Sequence, residues 1–319
     1  DRSFGSRLRT AVPLGITTGL LLGTRVGGAI VFLPIALGYL AKWWREGRTR
    51  PRLVSLSARF SFVILIAWGV MLLAWPWAQL APMRHPLSVL LASSEFLPSW
   101  LELFGGQLVE VGNLPPTYIP VWLYRTLPEA TLMGLVLLGA LIIGIRVPRN
   151  VIYRPSVFAT LTAFGFPLAW LALSGANLYD GLRHLFFLQP LLALGAASGI
   201  VGVTKRISRR ARLGTLAAVG MATVITIGDS VRLHPFEHVY FNRISGGLPA
   251  AAGRYELDYW GLSYREGATW LNENLPVRKG ISVATCSRPE STSHFLAEGF
   301  LFLGSLPFGA SGRPDYLLY

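Results

Sequence analysis

Apolar residues in this chain run in long blocks, where an amphipathic pattern would interleave them with polar ones. The blocks cover about 11–41, 58–77, 128–147, 156–175, 184–203 and 213–231. A helix that crosses the hydrocarbon core needs about 20 mostly apolar residues, and the last five windows each predict one crossing. The first block is longer than one crossing requires and holds Arg25 near its middle. Gly15, Gly19, Gly23 and Gly27 recur every four residues and predict a helix face that another helix can approach closely. Two readings fit 11–41: two short helices that turn near Thr24–Gly28 and leave on the side they entered, or one long tilted helix.

The basic residues bear on that choice and on orientation. Lys42, Arg45, Arg48, Arg50, Arg52 and Arg59 lie in the connection 42–59; Arg146, Arg149 and Arg154 in 146–154; Lys205, Arg206, Arg209, Arg210 and Arg212 in 205–212. The alternate connections 78–127 and 176–183 hold only Arg84, Arg125 and Arg183. Lysine and arginine accumulate on the cytoplasmic side of membrane proteins, so the first set is expected there. Arg2, Arg7 and Arg9 join that side only if 11–41 turns back, which favours the hairpin. The tail beyond Val231 then lies outside the cytoplasm.

Composition agrees. The chain has 319 residues, 52% of them hydrophobic and 14% charged, where an ordinary soluble domain carries about 25% charged residues. Its mean hydropathy is +0.47. The net charge of +13 reads as a topology signal: residues 232–319 carry equal numbers of basic and acidic groups, so no basic face remains for nucleic acid. The single cysteine, Cys286, excludes a disulfide framework and multi-cysteine metal sites. The expected fold is a polytopic α-helical membrane protein: residues 1–231 form the transmembrane helical domain and 232–319 a small extracytoplasmic α/β domain. In the tail, Ser263 and Glu266 have capping-box spacing at the head of a helix over 263–274. Strands are expected at 281–285 and 316–319, with a short helical stretch at 292–298. The chain begins without methionine and stops inside an apparent strand, which reads as a fragment open at both ends.

Candidate chemistry sits on the predicted outer side. In Tyr179-Asp180-Gly181-Leu182-Arg183-His184, a helix starting near Asp180 would carry Arg183 and His184 one turn on. Its amides and two cations would suit an anion such as a lipid phosphate; alternatively Asp180 caps the helix and Arg183 reaches for headgroups. His234, Glu237, His238 and Asn242 follow the last span; the two histidines would share a helix face only if Pro235 lay in its first turn, and the order is not that of a metalloprotease. Glu256 and Asp258 lie among aromatics in 254–260, suiting sugar hydroxyls or an interfacial stretch. Arg25, costly in an apolar region unless it faces protein or a cavity, is a candidate with no evident partner. Leu114–Trp122 cannot be a regular helix at its prolines and places Tyr118, Trp122 and Tyr124 in an interfacial aromatic belt, with direct substrate contact as the alternative. The outer carboxylates are too scattered to count as metal ligands, so no cofactor is expected and a divalent metal lacks support.

Five segments together resemble the bacterial branch of the membrane GT-C glycosyltransferases, the dolichyl-phosphate-mannose–protein mannosyltransferase-like family: Gly19–Arg25, Asn113–Leu123, Tyr179–His184, Leu233–Asn242 and Tyr255–Gly261. The resemblance, over about 10–275, implies an integral enzyme of the bacterial cytoplasmic membrane. It would move a sugar from a polyprenyl-phosphate donor to an acceptor hydroxyl on the outer face, with inversion. It implies lipid-phosphate binding by Asp180, Arg183 and His184. Arg25, His234, Glu237, His238, Asn242, Glu256 and Asp258 would line the substrate cavity. In that family the catalytic aspartate follows the first span in an outer loop that has no counterpart before residue 10, so no general base is assigned and this chain alone is expected to be inactive if that loop is missing. A transporter or flippase for a lipid-linked or anionic solute is the alternative, and a scaffold whose outer domain binds a partner is a third reading. The partners expected are the lipid donor, the bilayer and an acceptor of unknown class.

Overall fold

The computed structural model describes residues 2–95, 101–144, 162–163, 165–169, 178–258, 260–275, 280–285, 289–305 and 314–318. The chain is mostly helical. Among the described residues, three helical stretches are long and apolar enough to cross a membrane: Gly27–Arg45, Arg50–Ala74 and Arg209–Leu233. A bent pair, Tyr118–Thr126 and Glu129–Gly144, would make a fourth if taken as one span.

The first apolar block is broken at Arg25. Helix α1 (Arg2–Thr24) ends there, a 3-10 turn spans Val26–Val31, and α2 (Phe32–Arg45) follows. Gly28 lies so close to Leu21 that a Cβ on it would come within 2.6 Å of the leucine side chain. After a tight connection, α3 (Arg50–Ala74) begins with Pro51 in its first turn, where a missing N–H costs nothing. The glycine face of α1 is where α3 packs. A Cβ on Gly15 would meet Ile66 at 2.7 Å, one on Gly19 the Ala67 carbonyl at 2.5 Å, and one on Gly23 Ala74 at 3.0 Å. Partner numbers rise together, so α1 and α3 run parallel. Ala29 and Phe32 pack beside Ala67 and Met71, while the Trp43 indole N–H donates to the Thr49 carbonyl at 3.1 Å. The chain therefore returns along α3 through α2. Gly27 departs from the glycine pattern and faces open space. On α3 the buried stripe is Leu56, Val63, Ala67 and Met71.

Helix α4 (Arg84–Glu95) leads to a hairpin of β1 (Leu101–Phe104) and β2 (Gln107–Glu110), paired antiparallel with Phe104 opposite Gln107. Its turn residues Gly105 and Gly106 have φ of +65° and +86°, the double left-handed turn that matches strand twist. Helix α5 (Tyr118–Thr126) corrects the expectation for the proline-rich loop: Pro115 and Pro116 precede it and Pro120 sits in its first turn, where proline is tolerated. Tyr118 and Trp122, one turn apart, are 2% and 5% exposed, so they are core residues and only Tyr124 faces outward.

Helix α6 (Glu129–Gly144) leaves α5 at 118°. It packs on α7 (Gln189–Thr204), where Gly134 meets Ala196 and Gly199 while Leu141 meets Gly202. Partner numbers again rise together, so this pair is parallel as well. The block expected at 184–203 starts instead as a 3-10 turn, Arg183–Leu188, and α7 begins next to Pro190; it belongs among the shorter apolar helices. The expected span 156–175 lies mostly outside the described residues, as do Arg146, Arg149, Arg154, Tyr259 and Cys286. Helix α8 (Arg209–Leu233) is continuous and capped by Ser208, whose hydroxyl accepts from the Ala211 amide.

In the tail, α9 (Tyr264–Asn274) follows Ser263, but the expected capping box does not form: the Ser263 hydroxyl donates to Asp258 at 2.6 Å and makes no cap bond. Three short strands, β3 (Ser282–Thr285), β4 (Leu301–Ser305) and β5 (Tyr316–Leu318), form a parallel sheet in the order β4-β3-β5. Strand β4 is not among the elements expected from the sequence. Gly267 of α9 packs against Leu318.

Candidate functional site

The turn Tyr179–Leu182 is the centre of the site. Asp180 and Gly181 have φ of +54° and +67°, and consecutive residues of this kind point their amides the same way. Both amides meet Glu102 of β1. The Asp180 N–H donates to Oε2 at 3.0 Å, and the Gly181 N–H lies 3.5 Å from Oε1 and 3.0 Å from the Tyr118 hydroxyl. That hydroxyl donates to Glu102 Oε1. Glu102 is 3% exposed. Burial pushes its carboxyl up to about 7, against the pull of Tyr118 and the two amides and with added repulsion from Glu256.

This geometry corrects the expected helix start. Asp180 is not helical, and the 3-10 turn begins only at Arg183 without a side-chain cap. The amides that the sequence offered to a phosphate already hold an internal carboxylate.

The cationic half of the motif is arranged differently. Arg183 Nη1 donates to Asp180 Oδ2 at 2.6 Å, and both side chains are less than one-fifth exposed. The guanidinium lies over the rings of Tyr179 at 4.7 Å and Trp260 at 5.4 Å. Arg25, at the break between α1 and the 3-10 turn, donates through Nη1 to the Arg183 carbonyl at 3.4 Å. His184 meets the Tyr179 ring edge to face at 4.5 Å and feels the charges of both Arg183 and Arg25. Its Nε2 is buried and has no hydrogen-bond partner among the described residues. Arg25 and Arg183, from distant parts of the chain, thus meet at the backbone next to His184.

The site rests on an aromatic core of Tyr118, Trp122, Phe241 and Tyr255, with Phe104 against it. Residues 254–256 extend the hairpin: the Gly106 N–H donates to the Arg254 carbonyl at 2.9 Å and the Glu256 N–H to the Leu103 carbonyl at 3.0 Å. Burial raises the Glu256 carboxyl, with Asp180 and Asp258 adding to the effect while the Leu103 backbone N–H, by donating to the carboxylate, opposes it.

The remaining candidates have structural partners. Asn242 is fully buried. Its Nδ2 donates to the carbonyls of Tyr124 at 2.5 Å and Leu127 at 2.9 Å, its backbone N–H to Arg125 O at 2.8 Å, and its Oδ1 accepts from Ser245 at 2.9 Å. A helix end leaves carbonyls without partners, and Asn242 satisfies those at the α5–α6 bend. His238 and Asp258 pair at 2.8 Å, and Asp258 also accepts from the Ser263 N–H and hydroxyl. Burial alone would raise the Asp258 carboxyl, but the bonds from Ser263 and His238 hold it below its usual value. His234 pairs with Glu237 on the surface at 2.6 Å. The two histidines therefore have different carboxylate partners, and no helix joins them. Among the described residues no group of three or more histidine, cysteine or acidic side chains is placed to hold a metal.

Comparison with known protein families, curated proteins and solved structures gives no match.

Sequence reasoning misses Glu102 and Glu129. The last is buried at the head of α6 and accepts from Thr226 at 2.7 Å, Tyr240 at 2.9 Å and the Arg243 amide at 2.8 Å, tying α6, α8 and the following segment together. Taken chemically, the site offers two arginines and one imidazole to an anion, a carboxylate that fixes one arginine, and an exposed indole beside it.

Proposed function

We propose that this chain is a membrane glycosyltransferase that moves a sugar from a polyprenyl-phosphate-linked donor to an acceptor hydroxyl, with inversion, on the non-cytoplasmic face of the bacterial cytoplasmic membrane. The observation that supports this reading best is the meeting of Arg25 with Arg183 and His184 beside the apolar helices α1 and α7. A donor of this kind carries a phosphate at the headgroup level and its prenyl chain among helices.

In such a reaction the acceptor oxygen attacks the anomeric carbon while the bond to the phosphate oxygen breaks. The departing phosphate gains charge, so cations fixed beforehand around it lower the barrier. Arginine–phosphate contacts are charge-assisted and among the stronger hydrogen bonds. Asp180 orients Arg183, and Glu102 with Tyr118 holds the turn that presents Asp180. No residue of this chain is assigned as the general base. Trp260, 48% exposed next to Arg183, is suited to a sugar face. The resemblance to the GT-C family stands behind the substrate class.

The test is radiolabelled sugar transfer from polyprenyl-phosphate donors in membranes of cells that express the full-length gene. Arg25→Ala and the double change Arg183→Ala, His184→Ala are compared with wild type at matched expression. Losing a preorganised contact to developing charge costs on the order of 10²-fold in turnover; both variants are expected to insert, Arg25→Ala to melt close to wild type, and the double change to melt lower because it leaves Asp180 without its partner. Transfer that both variants leave intact would refute the site. Absence of transfer with movement of a lipid-linked solute across vesicles would replace the enzyme by a carrier.

A further inference from the structure

At the opposite end of α2 from Arg25, the α2–α3 pair leaves an open groove of about 320 Å3. Tyr39 and Leu40 of α2 and Leu53, Leu56, Ser57 and Phe60 of α3 line it. Its rim is basic. Lys42 and Arg45 follow Leu40 by less than two turns, and Arg50 precedes Leu53 by less than one. Arg48 lies over the exposed Trp44 ring at 3.3 Å. Arg59 acts electrostatically on Tyr39 in the groove wall, and its buried Nε makes no hydrogen bond among the described residues. Glu46 is the sole acidic residue between Asp1 and Glu95, and it is already bridged to Arg52 at 2.8 Å.

We propose that this groove binds one anionic phospholipid of the bilayer, with an acyl chain between α2 and α3 and the phosphate among Lys42, Arg45 and Arg50. Apolar lining gives no preference in a bilayer, since lipid tails are as apolar as leucine. Selection comes from the rim, where cations attract anionic headgroups within a Debye length. Trp44, apolar in body and polar at its N–H, marks the headgroup level on that side. The site lies away from Arg25, Arg183 and His184 and does not depend on sugar transfer.

The experiment titrates the purified full chain in neutral detergent with phosphatidylglycerol and phosphatidylcholine of identical chains, reading bound lipid by native mass spectrometry. The wild type is expected to prefer phosphatidylglycerol on the order of 100-fold, about fivefold for each of Lys42, Arg45 and Arg50. In Lys42→Ala, Arg45→Ala, Arg50→Ala, each lost cation removes about fivefold of that preference. Ser57→Trp, which fills the groove and keeps the rim, weakens binding of the anionic lipid, while Gly220→Trp, at a position with nothing within 4 Å, does not. Equal affinity for the two lipids, or a Ser57→Trp variant that binds as wild type, overturns the proposal. The double change at Arg183 and His184 retains the preference, which separates this site from the phosphate site.

Discussion

Replacing Glu102 with glutamine should make the protein more stable at alkaline pH and remove part of its pH dependence. In the folded chain the carboxyl sits near 7, against an ordinary value of 4.5, chiefly because it is buried. A carboxyl whose folded value is raised contributes stability that is fully present below the unfolded value and is lost as pH rises through the folded one. The loss therefore falls between about pH 4.5 and 7. At about 1.36 kcal/mol per pH unit across that window, the loss comes to roughly 3 kcal/mol. Glutamine keeps the shape of the neutral acid: its carbonyl accepts from the Asp180 amide, and its NH2 donates to the Tyr118 oxygen. The assay is Tm in detergent from pH 5 to 8.5. Wild type should lose several degrees across that range. Glu102→Gln should lose much less and exceed wild type at pH 8. Glu256→Gln is the companion, because burial raises that carboxyl in the same direction. A Glu102→Gln protein with the wild-type pH profile would refute the reasoning.

Three further predictions concern the packing that carries the site. Asn242→Ala strands two carbonyls at the α5–α6 bend, while the Ser245 amide keeps the backbone carbonyl of residue 242; at about 1–3 kcal/mol for each unsatisfied buried group, a loss of roughly 2–5 kcal/mol is expected in denaturant unfolding, and a loss under about 1 kcal/mol would contradict the clamp. Gly199→Val drives a Cβ into the Gly134 carbonyl and should cost about 1–3 kcal/mol by overpacking, whereas Gly220→Val, in open space on α8, should cost nothing measurable beyond helix propensity. Trp122→Ala empties the centre of the aromatic core and should cost about 3–5 kcal/mol; a near-neutral result would return Trp122 to a membrane-surface anchor.

Much of the helical layout is legible in the sequence because it is local. The glycines at 15, 19 and 23 announce a close helix contact by spacing alone, and the charge at Arg25 marks the break. Tyr118 and Trp122 are easily misplaced because a proline-rich aromatic stretch looks interfacial. Only the position of Pro120 within the first turn, and the core that folds over that face, reveal a buried helix. The hairpin is signalled by Leu101-Glu102-Leu103 ahead of Gly105-Gly106, a pattern that sequence reasoning passes over. Glu102 as the partner of the Asp180 turn is not readable, since 78 residues separate them and no local spacing encodes the contact. Asn242 lies in a motif that reads as substrate-facing; its partners are the orphan carbonyls of a bend that a single sequence does not place. Arg25 stands out for its cost in an apolar block, while its meeting with Arg183 is again a long-range event.

The most direct test of the account measures binding of polyprenyl phosphate to the purified chain at fixed phosphatidylglycerol content, with the uncharged polyprenol of equal length as reference. Wild type should bind the phosphate at least tenfold tighter than the alcohol, and Arg25→Ala and Arg183→Ala should each remove most of that difference while Arg45→Ala leaves it. Equal binding of alcohol and phosphate, or a preference that survives both changes, would contradict a lipid-phosphate site at Arg25, Arg183 and His184.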